Sequence, residues 1–374
     1  MRFSTLVKHP ADWMTGKSKD NAVVITSRIR LARNLEGVSF PGWAKKAERK
    51  KVMESIFPNL TALKQMDKGF AQELSNLTSL EKQVLVERHL ISREQAARSE
   101  GCAAVVNRKQ SLSLMINEED HLRIQSIRSG MHLREAYKLI NKVDQELETK
   151  LCYAFDEKLG YLTACPTNLG TGMRASAMLH LPALVITEQI GQVLQAVNKI
   201  GLAVRGLFGE GTESLGHMFQ ISNQSTLGES EEVIIDRLER VIKQVATHER
   251  NARLKMLEED RDALTDKVSR AYGLLRFAHI FDSKEAFAHI SLLRLGADLG
   301  YFPDGTMEKC DSLMMEIQPA HLQLYAGKEL EPEKRDLIRA EIIRDQLQNL
   351  DPPATSNLDN KVEGNDAGDE LPIE

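Results

Sequence analysis

The stretch from Gly160 to Leu184 constrains this chain more than any other, and within it the run Cys165-Pro166-Thr167-Asn168-Leu169-Gly170-Thr171-Gly172-Met173-Arg174 most of all. Gly170 and Gly172 let the backbone bring N–H groups close to an anion, and Arg174 adds a planar fork of donors. Cys165 stands between a strand-like run and this loop, so a thiol, main-chain amides and a guanidinium converge. A lone cysteine is more often a buried structural residue beside a turn, and for Cys165 alone that reading has the better odds.

The 374 residues suffice for two or three domains, and 42% hydrophobic with 28% charged is ordinary for a soluble globular protein. A formal net charge of -5 provides no global basic field to hold nucleic acid, although a local basic cleft for phosphate is compatible with it. The four cysteines, Cys102, Cys152, Cys165 and Cys310, form no C-x-x-C pair. That argues against a zinc site and a disulfide framework, and for a reducing cytosol. No signal-peptide core and no apolar run of membrane-spanning length is evident. Beyond Pro352 the tail is rich in Asp, Glu, Asn and Pro, too poor in aliphatics to order itself.

From Asn21 to Arg33 polar and apolar residues alternate, which predicts a strand with Val23, Ile25, Ile29 and Leu31 on one face and Arg28 and Arg30 on the other. The arginines then form either a solvated edge or a pair of clamps for polyphosphate oxygens. Helices are expected over 43–57 and 79–91, the second opened by the capping box Thr78 to Glu81, with His89 near its end. On residues alone His89 is a surface or helix-terminus histidine. Leu112, Leu114 and Ile116 mark a further strand, after which Glu119, His121 and Arg123 are expected to share a face opposite Leu122 and Ile124. Such a face suits a site for a cation and a phosphate, or else an edge charge pair worth little.

Further helices are expected over Leu133 to Leu147 and from Thr187 to a stop at Gly201, followed by a strand over Leu202 to Val204. The Gly-rich turn Arg205 to Thr212 is neither a Walker loop nor a Rossmann fingerprint, and no His-Arg-Asp or Asp-Phe-Gly kinase element occurs. Charged helical sequence runs over 230–275, and 283–349 reads as a small all-helical domain. There Pro332 opens a helix on which Arg335 and Arg339, four apart, either grip a phosphate while Asp336 takes a guanidinium or belong to a solvated face with Glu333 and Glu341.

Four separated motifs, in this order, narrow the reading: Ser27-Arg28-Ile29-Arg30, Asn117 through Arg123, Cys165 through Arg174, and Val204-Arg205-Gly206 through Gly209-Glu210. Across residues 21–250 the chain thereby resembles the ATP:guanido phosphotransferases, or phosphagen kinases. The resemblance implies an α+β fold, an antiparallel sheet flanked by helices, with a small all-helical C-terminal domain. It implies ATP and Mg²⁺ as cofactors, and no metal ligands from the protein. It places Arg28, Arg30, Arg123, Arg174 and Arg205 on the nucleotide phosphates, with Ser27, Ala175, Ser176, Gly206 and Gly209 lining the same site and His89 approaching the adenosine. It assigns Glu119 and Glu210 to holding and deprotonating the guanidinium, with Cys165 as a thiolate beside it.

Two departures matter. Metabolic members carry a helical domain before the first arginine motif, whereas Arg28 here is close to the start of the sequence, and Gly211 replaces the histidine that follows the second glutamate in arginine kinases. The arrangement resembles the bacterial branch that phosphorylates arginine side chains in proteins, and the match extends through Phe155 to Lys158 and Phe219 to Gln224. That branch implies a phosphoarginine-binding motif at Arg335, Asp336, Arg339 and Ala340. It also implies arginine-bearing protein substrates, a zinc-binding activator, a Clp ATPase, homodimeric or higher self-association, and no partnership with nucleic acid or membrane. The expected layout is 1–20 N-terminal segment, 21–255 catalytic domain, 256–350 helical domain and 351–374 disordered tail. A kinase for free arginine or another small guanidino compound, and an inactive phosphoarginine-reading adaptor, are the alternatives. The missing helical domain speaks against the first, and the intact Cys165, Glu119, Glu210 and arginine set against the second.

The chemistry asks for these residue types. A guanidinium has a pKa of ~12.5 to 13.8, so its neutral form at neutral pH costs about 8 kcal/mol. General-base catalysis contributes roughly 10²- to 10⁴-fold, and positioning and electrostatics must supply the rest.

Overall fold

The structure is a computed structural model that describes residues 1–15, 22–206 and 214–355. In chain order the strands are β1 (Val24–Arg33), β2 (Phe70–Glu73), β3 (Ala103–Val106), β4 (Leu112–Ile116), β5 (Leu122–Ser129), β6 (Phe155–Asp156), β7 (Gly160–Tyr161), β8 (Met173–His180), β9 (Leu202–Gly206) and β10 (Met218–Asn223). Helices α1 (Phe3–Lys8) and α2 (Asp12–Thr15) precede β1, α3 (Lys46–Thr61) lies between β1 and β2, and α4 (Ser79–Glu87) and α5 (Arg93–Arg98) lie between β2 and β3. They continue as α6 (Leu133–Glu148), α7 (Pro182–Ile186), α8 (Ile190–Lys199) and α9 (Glu231–Glu259). The last are α10 (Arg261–Phe277), α11 (Ser283–Leu299), α12 (Thr306–Glu316), α13 (Pro319–Ala326) and α14 (Pro332–Leu347). This is a mixed α+β protein whose antiparallel pairings and helical C-terminal region match the expected class. Among the described residues no helix is long and apolar enough to cross a membrane.

Two compact units are present: one made of Met1–Leu179, Val193–Arg205 and Phe219–Gln244, the other of His180–Gln192, Gly206–Met218 and Val245–Glu374. The first contains the eight-stranded sheet in the order β2-β3-β4-β5-β1-β8-β10-β9. Strand β1 is central and antiparallel to both neighbours, with Arg28 opposite Ile127 on β5 and Ser176 on β8, and Arg30 opposite Gln125 and Arg174. A bulge between Val24 and Thr26 interrupts the alternation, so the predicted two-faced pattern holds from Thr26 onward.

The two faces of this sheet differ in chemistry. Ile29, Leu31, Leu122, Ile124, Ala175 and Ala177 point to one side and are all buried. Helix α6 covers this side, burying Leu133, Ala136, Ile140, Val143 and Leu147 against β1 and β5. Each such aliphatic side chain contributes roughly 1.5–3 kcal/mol. Arg33 also lies here, its guanidinium paired with Asp144 of α6 at 2.6 Å and stacked 3.5 Å from the Tyr161 ring centroid. The opposite face carries Arg28, Arg30, Arg123, Gln125, Arg174 and Ser176.

The N-terminal segment is part of the first unit. Leu6 is fully buried in a cluster with Phe70, Leu74, Leu85 and Val106, and Arg88 donates to the Val7 and His9 carbonyls.

The second unit is helical and has its own buried polar network. The Arg294 guanidinium lies 3.2 Å from His180 Nδ1, and because arginine only donates, His180 carries its proton on Nε2. That nitrogen donates to Ser291 Oγ at 2.8 Å, whose hydroxyl in turn donates to His217 Nδ1 at 2.7 Å. Burial, then the neighbouring Arg294 and Arg253, pushes His180 well below the usual histidine value, and burial brings His217 down to about 4.

Candidate active site

The site is built on the polar face of the sheet. Arg28 donates to Gln220 Oε1 on β10 at 2.6 Å, and Arg174 to Ser222 Oγ at 3.2 Å. Neither of them, nor Arg30, has a carboxylate partner among the described residues, and Nε of Arg30 and of Arg174 is buried without a hydrogen bond. Burial, with Arg123 and Arg174 nearby, brings Arg28 down to about 10. Arg30 is pushed well below its ordinary value by burial and by Arg28, Arg123 and Arg174. Such a cluster of half-buried guanidinia without a carboxylate partner among the described residues has the chemistry to hold a polyanion.

At one end of this face the acidic loop after β4 meets the cysteine loop before β8. Arg123 is held by Glu118 at 2.7 Å and by Glu119 at 3.3 Å. Glu119 is raised above the usual carboxylate value by burial, then by Asp120 and Glu118 against the opposing pull of Arg123. Arg174 is lowered by burial and by Arg205 and Arg123, while Cys165 and Glu119 favour its charged form. Thus Glu119, Cys165, Arg123, Arg174 and Arg205 share one electrostatic neighbourhood. Cys165 Sγ lies 3.0 Å from Thr167 Oγ1.

Asp120 ties these loops together. Its Oδ1 accepts from Asn34 Nδ2 at 2.6 Å and from the Ala164 amide at 2.7 Å, joining the end of β1 and the approach to Cys165. The cysteine loop is also gripped from beneath the sheet, where Arg33 Nη1 donates to the Thr171 carbonyl at 2.9 Å. Gly172, at φ +64, leaves no room for a side chain, because a Cβ would come within 2.6 Å of the Ala32 carbonyl and of Arg33.

Several expectations need correction. His121 does not share a face with Glu119 and Arg123: β5 begins at Leu122, and His121 is fully buried, accepting from the Leu35 amide and donating to the Ser39 carbonyl. Ser27 and Ala175 face the α6 side, where Ser27 Oγ donates to the Gly130 carbonyl and accepts from the His132 amide. The Ala175 amide is occupied by Asn223 Oδ1. Ser176 does lie on the arginine face, opposite Arg28. Arg205 is exposed at the end of β9, beside Gly206. Glu210 and Gly209 lie outside the described residues. His89 is half-buried, brought down to about 4 by burial and by Arg28, and its carbonyl accepts from Gln125. Among the described residues no cluster of three or more His, Cys, Asp or Glu could cage a metal ion.

The geometry has counterparts among known proteins. The ATP:guanido phosphotransferase C-terminal catalytic domain matches residues 51–252, and the protein-arginine kinase McsB C-terminal domain matches residues 261–358. The protein-arginine kinase of Halalkalibacterium halodurans is 47% identical over 339 residues, spanning 90% of this chain and 95% of that one. That of Moorella thermoacetica is 46% identical over 348 residues, 92% of this chain and 99% of the other. The chain belongs to the protein-arginine kinase family of ATP:guanido phosphotransferases. Among solved structures, lombricine kinase superposes with a TM-score of 0.54 at 27% identity, covering 64% of this chain and 71% of its own. A duplicated taurocyamine kinase from Schistosoma mansoni, bound to transition-state-analogue components, gives 0.56 at 25% identity over 72% of this chain and 42% of its own.

Within this protein-arginine kinase family member, the motif on α14 is differently disposed from its sequence expectation. Arg339 is buried, its Nε donating to the Ile317 carbonyl at 3.1 Å and its Nη1 to the Phe281 carbonyl at 2.8 Å and to Asp336. Ala340 is fully buried, while Arg335 and Asp336 are half-buried. Asp336 already holds one guanidinium, so Arg339 is an internal brace and not the second arm of an open clamp. Glu118, Gln220 and Ser222 went unassigned in the sequence reading. They stand inside Asn117 through Arg123 and Phe219 through Gln224, but only the folded contacts show which arginine each one holds.

Proposed function

We propose that this protein transfers the γ-phosphoryl group of MgATP to arginine side chains of proteins. The observation that supports this best is the unpaired guanidinium set Arg28, Arg30 and Arg174 running up to Glu119 and Cys165. The arginines hold the phosphates and offset charge on the transferring group, which is where most of the acceleration of phosphoryl transfer arises. Glu119 and Glu210 orient the planar cation and take its proton, and Cys165 lies beside it. The raised value of Glu119 makes its ionised form the limiting species on the acid side. Mg²⁺ arrives with the nucleotide, held by phosphate oxygens and water.

In this reading the half-buried Arg335 and Asp336 of α14 form a phosphoarginine site braced by Arg339. Occupancy of that site couples to activity through differential affinity for an active arrangement. The kinase would act in the cytoplasm on damaged or regulatory proteins for a Clp ATPase, with a zinc-binding activator and self-association among its partners.

The test is incubation of the purified protein with MgATP and casein, with sites mapped at neutral pH. Label should appear on arginine, vanish in acid and survive neutral conditions, because a phosphoramidate loses a good leaving group once protonated. Acid-stable label on Ser, Thr or Tyr would overturn the assignment of the acceptor.

A further inference from the structure

We infer that Trp13 contacts the base of the bound nucleotide, which rests on the arginine face being the polyphosphate site. The strand register orders that face. Glu119 and Cys165 lie by Arg123 and Arg174, opposite Ala32 and Arg30 of β1. Arg28 stands two residues back along the same strand, roughly 7 Å farther from the acidic end. A polyphosphate whose terminal group faces Glu119 therefore leaves the arginines at the Arg28 end.

At that end stands an aromatic pair. His89 is close enough to Arg28 to be repelled by it, and the Trp13 ring centroid lies 5.8 Å from that of His89 with the planes 48° apart. Helix α2, which carries Trp13, packs on β5, and Gln125 of β5 faces the arginines and fixes the His89 carbonyl. The Trp13 indole N–H is buried with no acceptor among the described residues. Buried donors are nearly always satisfied, so one left over beside the arginine face points to an acceptor on a ligand. A purine or its ribose supplies acceptors and a flat face, both of which an indole can meet.

Intrinsic fluorescence tests this directly, because the chain has 2 tryptophans and the other, Trp43, is 90% exposed. In a Trp43→Phe protein the whole signal is Trp13. ADP and MgATP should quench or shift it saturably, whereas inorganic tripolyphosphate should bind the arginines, as followed by calorimetry, and leave the emission almost unchanged. Trp13→Ala should raise the Kd for ATP by about 10- to 100-fold and leave that for tripolyphosphate within about twofold. Trp13→Phe, which keeps the apolar bulk packed against His89, should lie between and guards against misfolding of the Ala variant. An unchanged Kd for ATP in both variants, or equal emission changes with ATP and tripolyphosphate, would overturn the inference. Failure of both ligands to bind the wild type would overturn the polyphosphate site itself.

Discussion

Three arginines are half-buried together on one face of the sheet unit, and three are fully buried in the helical unit, with different partners. In the sheet unit, Arg28, Arg30 and Arg174 have hydroxyl and amide neighbours and no carboxylate among the described residues. In the helical unit, Arg253 is held by Glu249 and Asp298 at 2.7 Å each, Arg294 by Asp311 at 2.7 Å, and Arg339 by Asp336. An internal carboxylate satisfies a guanidinium within the fold, and one without it is left able to meet an external anion, as proposed for the sheet unit. The sheet unit also holds one paired arginine, Arg33, buried against Asp144 on the α6 side, so counter-charge, and not the unit, separates the arginines that brace the fold from those proposed to meet a ligand.

Replacing the unpaired residues should separate activity from stability. Arg174→Ala or Arg30→Ala is expected to lower kcat/KM by roughly 10³- to 10⁵-fold, as removal of an arginine from a phosphoryl-transfer site does. Thermal unfolding should be unchanged or improved, since each removal relieves repulsion among like charges. A large fall in Tm with turnover intact would break the comparison. Arg253→Met should do the reverse. It strands the fully buried Glu249, so urea denaturation should show a loss of roughly 3–5 kcal/mol, part of which Glu249→Gln restores in the double variant.

Helix α14 sharpens the contrast within one motif. Arg339→Ala should cost roughly 2–3 kcal/mol, because the Phe281 and Ile317 carbonyls lose their buried donor. Arg335→Ala should change stability by less than about 0.5 kcal/mol while abolishing calorimetric binding of free phosphoarginine. Equal destabilisation by both would leave no distinction between brace and contact.

The smallest effect concerns pH. His217 is lowered from 6.5 to about 4, so it is neutral when folded and binds a proton more readily when unfolded. The stability it contributes is fully present above about pH 6.5 and is lost as pH falls toward about 4. The wild type should therefore lose urea resistance over that window more steeply than His217→Gln. Parallel slopes for the two proteins would remove His217 from the account.

What the sequence discloses and what it conceals follow from the range of the forces involved. Alternation in β1 separates Arg28 and Arg30 from Ile29 and Leu31, because side-chain direction in a strand is a local matter. The capping box at α4 is equally local: Thr78 Oγ1 accepts from the Glu81 amide and Glu81 returns the bond. By contrast, α8 begins at Ile190 and not Thr187, since Pro182 opens a separate turn, α7, whose two leading amides are capped by the distant Glu249. Strand β3 is not legible in the sequence because Ala103–Val106 is buried on both faces and has no alternation, and β2 is only four residues long with one buried side chain. His121 was misplaced because its partners, Leu35 and Ser39, lie more than eighty residues away.

The uncompensated arginine face also bears on how long the folded protein lasts. With Arg28, Arg30 and Arg174 repelling one another, the protein forgoes stability that a polyphosphate bound there, as proposed, would restore. For a ligand at a hundredfold excess over its Kd the gain is about 2.7 kcal/mol. Under the proposed function the lifetime of the molecule would then follow the free nucleotide concentration around it, and withdrawal of nucleotide would cost the cell the protein itself, by unfolding and proteolysis, as well as its turnover.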